Sequence, residues 1–243
     1  GRLPKHAVEV YAFAPDDRPL YPGIIRAPLP TVSVEGGVAR AEWRFVDVPA
    51  IEAEPMSPPY TELATLVSVS TYQSWEDLGR WYAPLFRDQL ELDAEARAAG
   101  RAAIAGAKDE AEKVRRLYDY VVKSTRYVGI ELGIHGWKPF KASETHRRRY
   151  GDCKDKATLL AALLRDNGVE ATVALVRTVD RGPFPASHAT MWAFNHAITY
   201  VPSLDLYLDG TAERSGSGEL PYQDQGAFVL VVYPDGRVVL DSP

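Results

Sequence analysis

The 243 residues contain a single cysteine, and the segment around it could give it unusual chemistry. Cys153 follows Tyr150-Gly151-Asp152 and precedes Lys154-Asp155-Lys156, in a run that continues to Asp166-Asn167-Gly168. Gly151 permits a tight approach to a helix start, and Asp152 suits an N-cap. Ala157, Leu160, Ala161 and Leu164 recur at helical spacing as a stripe to be buried. Gly168 suits the position just past a helix end. The spacing therefore predicts a largely buried helix with Cys153 in its first turn. There, unpaired backbone N–H groups and the helix dipole favour the anionic form of a thiol, more so beside an imidazolium. The same N–H groups suit a developing oxyanion. Asp152 would oppose that charge if it faced the sulfur, so its capping role matters.

A base is found downstream. Phe194-Asn195-His196-Ala197-Ile198-Thr199-Tyr200-Val201 reads as one strand and Leu204-Asp205-Leu206-Tyr207-Leu208-Asp209 as another, with Pro202-Ser203 between them. A two-residue hairpin loop sets Val201 opposite Leu204 and His196 opposite Asp209, with Cβ atoms about 5 Å apart. A two-residue slip makes that pair diagonal but keeps it on one face, whereas a one-residue slip separates it. One imidazole nitrogen then turns to Asp209 and the other is free to meet Cys153. This arrangement suits covalent acyl transfer: Cys153 attacks a carbonyl, His196 shuttles the proton, and Asp209 holds the imidazole in its working tautomer. The residues alone also admit a plain reading, with His196 in a structural hydrogen bond and Asp209 at a strand-end turn with Gly210 and Thr211.

The surrounding elements must position these groups. Residues 1–70 read as strands: Ala39, Ala41, Trp43 and Phe45 alternate with Arg40, Glu42 and Arg44, and Leu63, Thr65, Val67 and Val69 repeat the pattern less cleanly. Prolines at 49, 55, 58 and 59 mark an irregular connection between them. Helices start near Ser74, where Ser74 and Asp77 outline a capping box and Trp75, Leu78, Tyr82 and Leu85 share a face until Pro84 ends or kinks the segment. Asp93 suits a second cap. Ile104, Ala107, Ala111, Val114, Leu117, Tyr118 and Val121 predict a core-facing amphipathic helix over 104–122. Tyr127 to Leu132 reads as extended, and Gly133, Gly136 and Pro139 as a loop. Phe228–Tyr233 and Arg237–Leu240 flank Pro234-Asp235-Gly236, a hairpin signal.

Composition narrows the function classes. There are 33 acidic against 28 basic residues, which argues against a general nucleic-acid surface. One cysteine excludes an intramolecular disulfide and any cysteine-rich metal site. No apolar run reaches the roughly 18 residues of a transmembrane helix. The chain opens at Gly1-Arg2-Leu3-Pro4 with neither an initiator methionine nor a signal-peptide pattern, as expected of a processed or trimmed product. His6, His135, His146 and His188 have no ligand spacing and are expected on the surface or in loops. Arg147-Arg148-Arg149 form either a local positive potential beside the nucleophile or a solvated patch, and Asp152, Asp155 and the nearby lysines are expected to form ion pairs. No EF-hand loop is present.

Tyr150-Gly151-Asp152-Cys153-Lys154-Asp155-Lys156, then Phe194-Asn195-His196-Ala197, then Leu208-Asp209-Gly210-Thr211-Ala212 together resemble the bacterial transglutaminase-like cysteine-enzyme family, over residues 75 to 215. The resemblance implies an α+β fold: a transglutaminase-like or papain-like core whose nucleophile-bearing helix packs on an antiparallel β-sheet, with Cys153, His196 and Asp209 as the catalytic triad. Trp43, Pro49-Ala50, Glu54-Pro55, Pro58-Pro59, Ser70-Thr71 and Ser74-Trp75-Glu76 resemble the end of the β-rich domain of unknown function found ahead of such cores. The implied domains are 1–72, the C-terminal part of that β-rich domain; 73–215, the catalytic core; and 216–243, a β-hairpin extension. Such proteins are commonly exported, which implies a periplasmic or other extracytoplasmic location. The Cys153 backbone N–H and the Trp137 indole are oxyanion candidates, and Tyr127, Trp137, Tyr150 and Asn195 are substrate-cleft candidates. No cofactor and no metal are expected, and calcium dependence is not carried over from the animal enzymes. The expected partner is a peptide or protein substrate. The family leaves hydrolysis, as a cysteine peptidase or amidase, as the favoured reaction. Glutamine-directed crosslinking to amines and a catalytically silent peptide-binding module are the alternatives.

Overall fold

The computed structural model describes residues 3–52 and 54–243; the Gly1-Arg2 start of the sequence lies outside the described residues. The chain divides into two compact units, residues 1–78 with 180–193, and residues 79–179 with 194–243. The first unit takes in residues 180–193, which lie in sequence between two strands of the second.

The first unit is β-rich. Strand β1 (Lys5–Pro15) pairs antiparallel with β4 (Val38–Val48), and β3 (Thr31–Glu35) lies on the other side of β4. The period-two pattern predicted for β4 holds: Ala41 and Trp43 are buried, while Arg40 and Glu42 pair with each other at 2.8 Å. The Trp43 indole donates to the Pro28 carbonyl at 3.1 Å. Strand β2 (Tyr21–Ile25) pairs with β5 (Leu66–Ser70). Leu63, expected in the latter strand, instead closes a short helix, α1 (Tyr60–Leu63). His188, expected on the surface, is buried in this unit with Nε2 3.1 Å from the Ser68 hydroxyl. A side chain at Gly23 would place Cβ 2.1 Å from the His188 ring, so that strand position must be glycine.

Helix α2 (Trp75–Arg87) opens with the reciprocal Ser74–Asp77 box, both bonds at 3.2 Å, and runs through Pro84 to Arg87 instead of stopping there. The helix expected over 104–122 starts later, at Glu110, and residues 104–109 are a turn. Helix α3 (Ala94–Ala103), capped by Asp93, ends at Ile104; Gly106 turns the chain at φ 75°; Asp109 caps α4 (Glu110–Ser124) by accepting from the Glu112 N–H at 2.8 Å. A local cap and a left-handed glycine override the apolar periodicity here. Ala111 is exposed, while Val114, Leu117, Tyr118 and Val121 form the buried stripe.

Short strands β6 (Arg126–Tyr127) and β7 (Tyr150–Gly151) pair in parallel. Between them lies helix α5 (Ala142–Arg148), which the sequence reading lacked, closed by Arg149 at φ 61°. Helix α6 (Cys153–Asp166) follows. The second unit's sheet has the order β10-β9-β8-β11-β12, antiparallel throughout, from β8 (Thr172–Arg177), β9 (His196–Val201), β10 (Leu206–Leu208), β11 (Phe228–Val232) and β12 (Val238–Asp241). The C-terminal hairpin is thus built into this sheet beside β8.

Every residue of α6 from Lys154 to Leu164 is buried. Its Leu159, Leu160, Leu163 and Leu164 pack with Leu117 and Val121 of α4 and with Val201 and Leu208 of the sheet. A separate cluster of Ala174, Val176, Ile198, Val229 and Val231 packs with Tyr207 and Tyr233. The fold of this unit is α+β, with one buried helix laid on an antiparallel sheet. Because Leu160 is fully enclosed, Leu160→Ala is expected to cost about 2–5 kcal/mol in urea denaturation; a loss below about 1 kcal/mol would mean that α6 is not the centre of the core.

Candidate active site

Cys153 is the first residue of α6 and is half-buried. Asp152 caps the helix: its carboxylate accepts from the Asp155 N–H at 3.3 Å, and Asp155 returns the bond to the Asp152 N–H at 3.1 Å. The second Asp152 oxygen pairs with the buried Lys154 ammonium. The carboxylate beside the thiol is therefore engaged by the cap and by an ion pair, as the capping argument required. Asp155 also accepts from the Phe140 N–H at 2.8 Å, and burial together with the Asp152 charge pushes its carboxyl up to about 6. Any side chain at Gly151 would set Cβ 2.6 Å from that of Asp155, so only glycine fits between β7 and the helix start. Lys156, with no exposed surface, donates to the Thr125 carbonyl at 2.5 Å, and burial holds its ammonium below the usual lysine range.

His196 opens β9, opposite Val176 of β8. The β9–β10 register pairs Val201 with Leu206 and Thr199 with Leu208, a two-residue slip from the expected pairing. The cause is a longer connection: Pro202–Leu204 forms a 3-10 turn and Asp205 adopts φ 48°. Asp209 follows directly after β10, diagonal to His196. An even slip preserves the face, and His196 Nε2 lies 3.3 Å from Asp209 Oδ1, with both side chains buried. The same Oδ1 accepts from the Thr211 N–H at 2.8 Å and the Thr211 hydroxyl at 2.7 Å. The Tyr118 hydroxyl donates to the Asp209 carbonyl at 3.1 Å and so ties this loop to α4. Burial alone would push His196 down. Hydrogen bonds and negative charge from Asp209 and Cys153 overcome it and raise the imidazole to about 10. Asp209 moves the other way, below the ordinary carboxylate range: burial would raise it, but His196 and Thr211 prevail.

The other predicted residues are placed unevenly. Pairing of β6 with β7 sets Tyr127 beside Gly151, and its phenol is pushed up to about 12 by burial and by the nearby Cys153 and Asp152 charges. Tyr150 is half-buried in β7. Trp137 is half-buried just after a 3-10 turn over Gly133–Gly136. Asn195 adjoins His196, but its amide is committed to Thr178, accepting from the backbone N–H at 3.0 Å and donating to the hydroxyl at 2.7 Å. His146 is another correction: it is buried, with Nε2 2.8 Å from the Tyr120 hydroxyl, because it lies on the inner face of the unforeseen α5. His135 stacks on Phe140 at 4.0 Å, and the exposed His6 pairs with Asp47 at 3.1 Å. Arg148 pairs with Glu144 and lies over Phe140, while Arg147 and Arg149 are exposed.

One residue at the site was not foreseen. Asp224 lies in the turn before β11, among exposed neighbours, yet is itself fully buried. Donor atoms of His196, Asp209 and Asp224 lie within 4.8 Å of one another, a spacing that a divalent cation could also bridge. In sequence Asp224 sits in Pro221-Tyr222-Gln223-Asp224-Gln225-Gly226, where an aspartate reads as an ordinary turn residue.

Residues 97–202 match the model of the transglutaminase-like superfamily, a stretch that contains Cys153 and His196 but stops short of Asp209 and Asp224. Among curated proteins none matches. A crystal structure of a "putative protease" from Parabacteroides distasonis is similar over 97% of this chain, with 20% identity and a TM-score of 0.75; the chain spans 45% of that protein's length. A "putative cysteine protease" from Cytophaga hutchinsonii aligns over 84% of this chain and 65% of its own, with 14% identity and a TM-score of 0.38. No described helix is long and apolar enough to cross a membrane. Residues 97–202 are thus similar to the transglutaminase-like superfamily, and the fold in which that stretch lies is the one the Parabacteroides distasonis structure shares.

Proposed function

We propose that this chain is a thiol-dependent enzyme that hydrolyses peptide or protein amide bonds, as a cysteine peptidase or amidase, through Cys153, His196 and Asp209. What supports the reading is a helix-N-terminal cysteine whose sulfur acts on His196, a histidine 3.3 Å from a buried aspartate. The Cys153 sulfur attacks the amide carbonyl carbon, its proton residing on His196, and the carbonyl oxygen takes the negative charge. Backbone N–H at Cys153 and the Trp137 indole are the proposed oxyanion donors. The C–N bond then breaks, His196 protonates the leaving amine, and a thioester remains. Water attacks the thioester with His196 as base, releasing the acid and restoring the thiol. The Asp209 carboxylate lies 3.3 Å from His196 Nε2, which leaves Nδ1 for the sulfur. Tyr127 and Tyr150 supply the proposed cleft wall. Export to the periplasm belongs to the same proposal and rests on the resemblance of the first unit to domains found ahead of exported enzymes.

Incubating the protein with a mixed peptide substrate, with and without a primary amine, tests this reading. Hydrolysed product that is lost in Cys153→Ala is expected. Amine-linked product at glutamine would instead make the enzyme a glutamine acyltransferase, and the absence of both products and of a Cys153 adduct would leave a peptide-binding module. With one cysteine in the chain, iodoacetamide labelling has a single target; His196→Ala is expected to slow it at pH 7 by about tenfold or more while circular dichroism stays native. An unchanged rate would mean that His196 does not act on the thiol.

The charge on His196 has a stability signature. A histidine raised in the folded state contributes stability that is fully present below its unfolded pKa of about 6.5 and is lost as pH rises through its folded value, here about 10. The stability difference between the natural protein and His196→Ala should therefore shrink between pH 6.5 and 10, read as urea midpoints. A difference that stays constant over this range would show that the Asp209 partner is a neutral ring.

A further inference from the structure

Asp224 has no place in the triad chemistry, yet its carboxyl is sealed against it. Its side chain has no exposed surface, and neither Oδ1 nor Oδ2 has a hydrogen-bond donor among the described residues. Asp209 has the matching vacancy: Oδ1 is occupied by Thr211 and faces His196, but the buried Oδ2 has no donor. An ionised carboxylate only accepts, so two of them side by side leave all three oxygens unpaired and add like-charge repulsion. A proton on one turns that contact into an O–H···O⁻ hydrogen bond, among the stronger kinds in a dry site.

We propose that Asp224 is a protonated carboxylic acid that donates to Asp209 Oδ2 and so acts as a positioning residue, fixing the carboxylate that orients His196. The proton satisfies one Asp224 oxygen and Asp209 Oδ2 together, and Oδ1 stays directed at the imidazole. Other features agree. The Asp224 N–H is bonded to the Pro221 carbonyl at 2.9 Å and its carbonyl accepts from Ala227 at 3.2 Å, so the turn holds the side chain inward. The neighbouring Gln223 carbonyl accepts from Val179 at 2.9 Å. Burial, the Asp209 charge and the Asp209 hydrogen bond push Asp224 up to about 6, against the attraction of His196, while Asp209 lies below the ordinary range. The two carboxyls are thus driven apart, the pattern expected of a pair sharing one proton.

The proposal rests on reading Asp209 as the partner of a reacting His196, and its test separates the two. Carboxyl carbon-13 shifts are followed with pH in aspartate-labelled protein in the presence of EDTA, with Asp224 assigned by its loss in Asp224→Asn. Asp224 should keep its proton well above the ordinary aspartate value of about 3.9, with a midpoint near 6. An ordinary midpoint overturns the proposal, as does a shift that appears only once EDTA is added, which would mean that a bound cation rather than a proton bridges the pair. This reading is independent of whether Cys153 reacts. In parallel, at about pH 5, below that midpoint, Asp224→Leu should slow iodoacetamide labelling of Cys153 by about tenfold by loosening the His196 partner. Asp224→Asn, whose amide can still donate to Oδ2, should recover most of that loss. Equal loss in both folded variants, or none in either, overturns the positioning role.

Discussion

A helix buried on every side must bring its own partners for the polar groups of its first turn, and the second unit is organised around that constraint. The four free N–H groups at such an end cannot turn to bulk water. In α6 the Asp152–Asp155 box answers two of them. Burying the cap carboxylate is costly without a counter-charge, and Lys154 supplies it from within the same turn. The cap therefore does two things: it starts the helix inside the core, and it commits the Asp152 carboxylate to the helix N–H groups and to Lys154. Gly151 allows the box to close, since a side chain there would collide with Asp155. The helix end is held from outside as well, through Phe140 donating to Asp155 and Lys156 reaching the Thr125 carbonyl at the end of α4.

His196 is positioned by a different kind of constraint, the even period of a strand. The turn over Pro202–Asp205 is longer than the minimal hairpin, so the β9–β10 register moves by two. A move by one would have sent Asp209 to the opposite face. A move by two leaves it diagonal and within 3.3 Å of His196. The partnership thus tolerates an error in turn length but not in parity. Beyond the sheet, the Tyr118 hydroxyl fixes the Asp209 backbone and Thr211 fixes its Oδ1, so the carboxylate is located by α4 and by its own loop as well as by the strand.

What was legible in the sequence were features carried by short-range rules. The Asp152 cap, the buried α6 stripe and the alternation in β4 follow from neighbours a few residues apart, and the parity of His196 with Asp209 from the strand period across one short turn. The break at Gly106 was also written locally, in a glycine and an Asp109 cap, but the apolar period running across it masked the signal. Helix α5 was hidden because it is short and ends on a left-handed Arg149, with no glycine to mark the stop. His146 was lost with it. His188 could not be read locally, because its partners, Gly23 and Ser68, are brought to it by tertiary folding. Asp224 is the extreme case: its turn is polar and its neighbours exposed, and only folding reveals that this one side chain points at Asp209.

The density of buried charge around His196 makes the proton count decisive. Asp209, Asp224 and the Cys153 sulfur can each carry a negative charge, and one imidazole faces them. Lys156 is fully buried nearby, and the Asp209 and Glu213 charges act to keep it charged, but its ammonium is turned to the Thr125 carbonyl. In a medium of low effective dielectric, such an excess of negative charge is unfavourable by several kcal/mol unless a proton or a cation offsets it. A proton held between two carboxyls does so without displacing His196 from Asp209. On the same proposal the imidazole stays the mobile acid and base of the group. On this view the acyl chemistry needs three residues, and a fourth settles how much charge those three must bear.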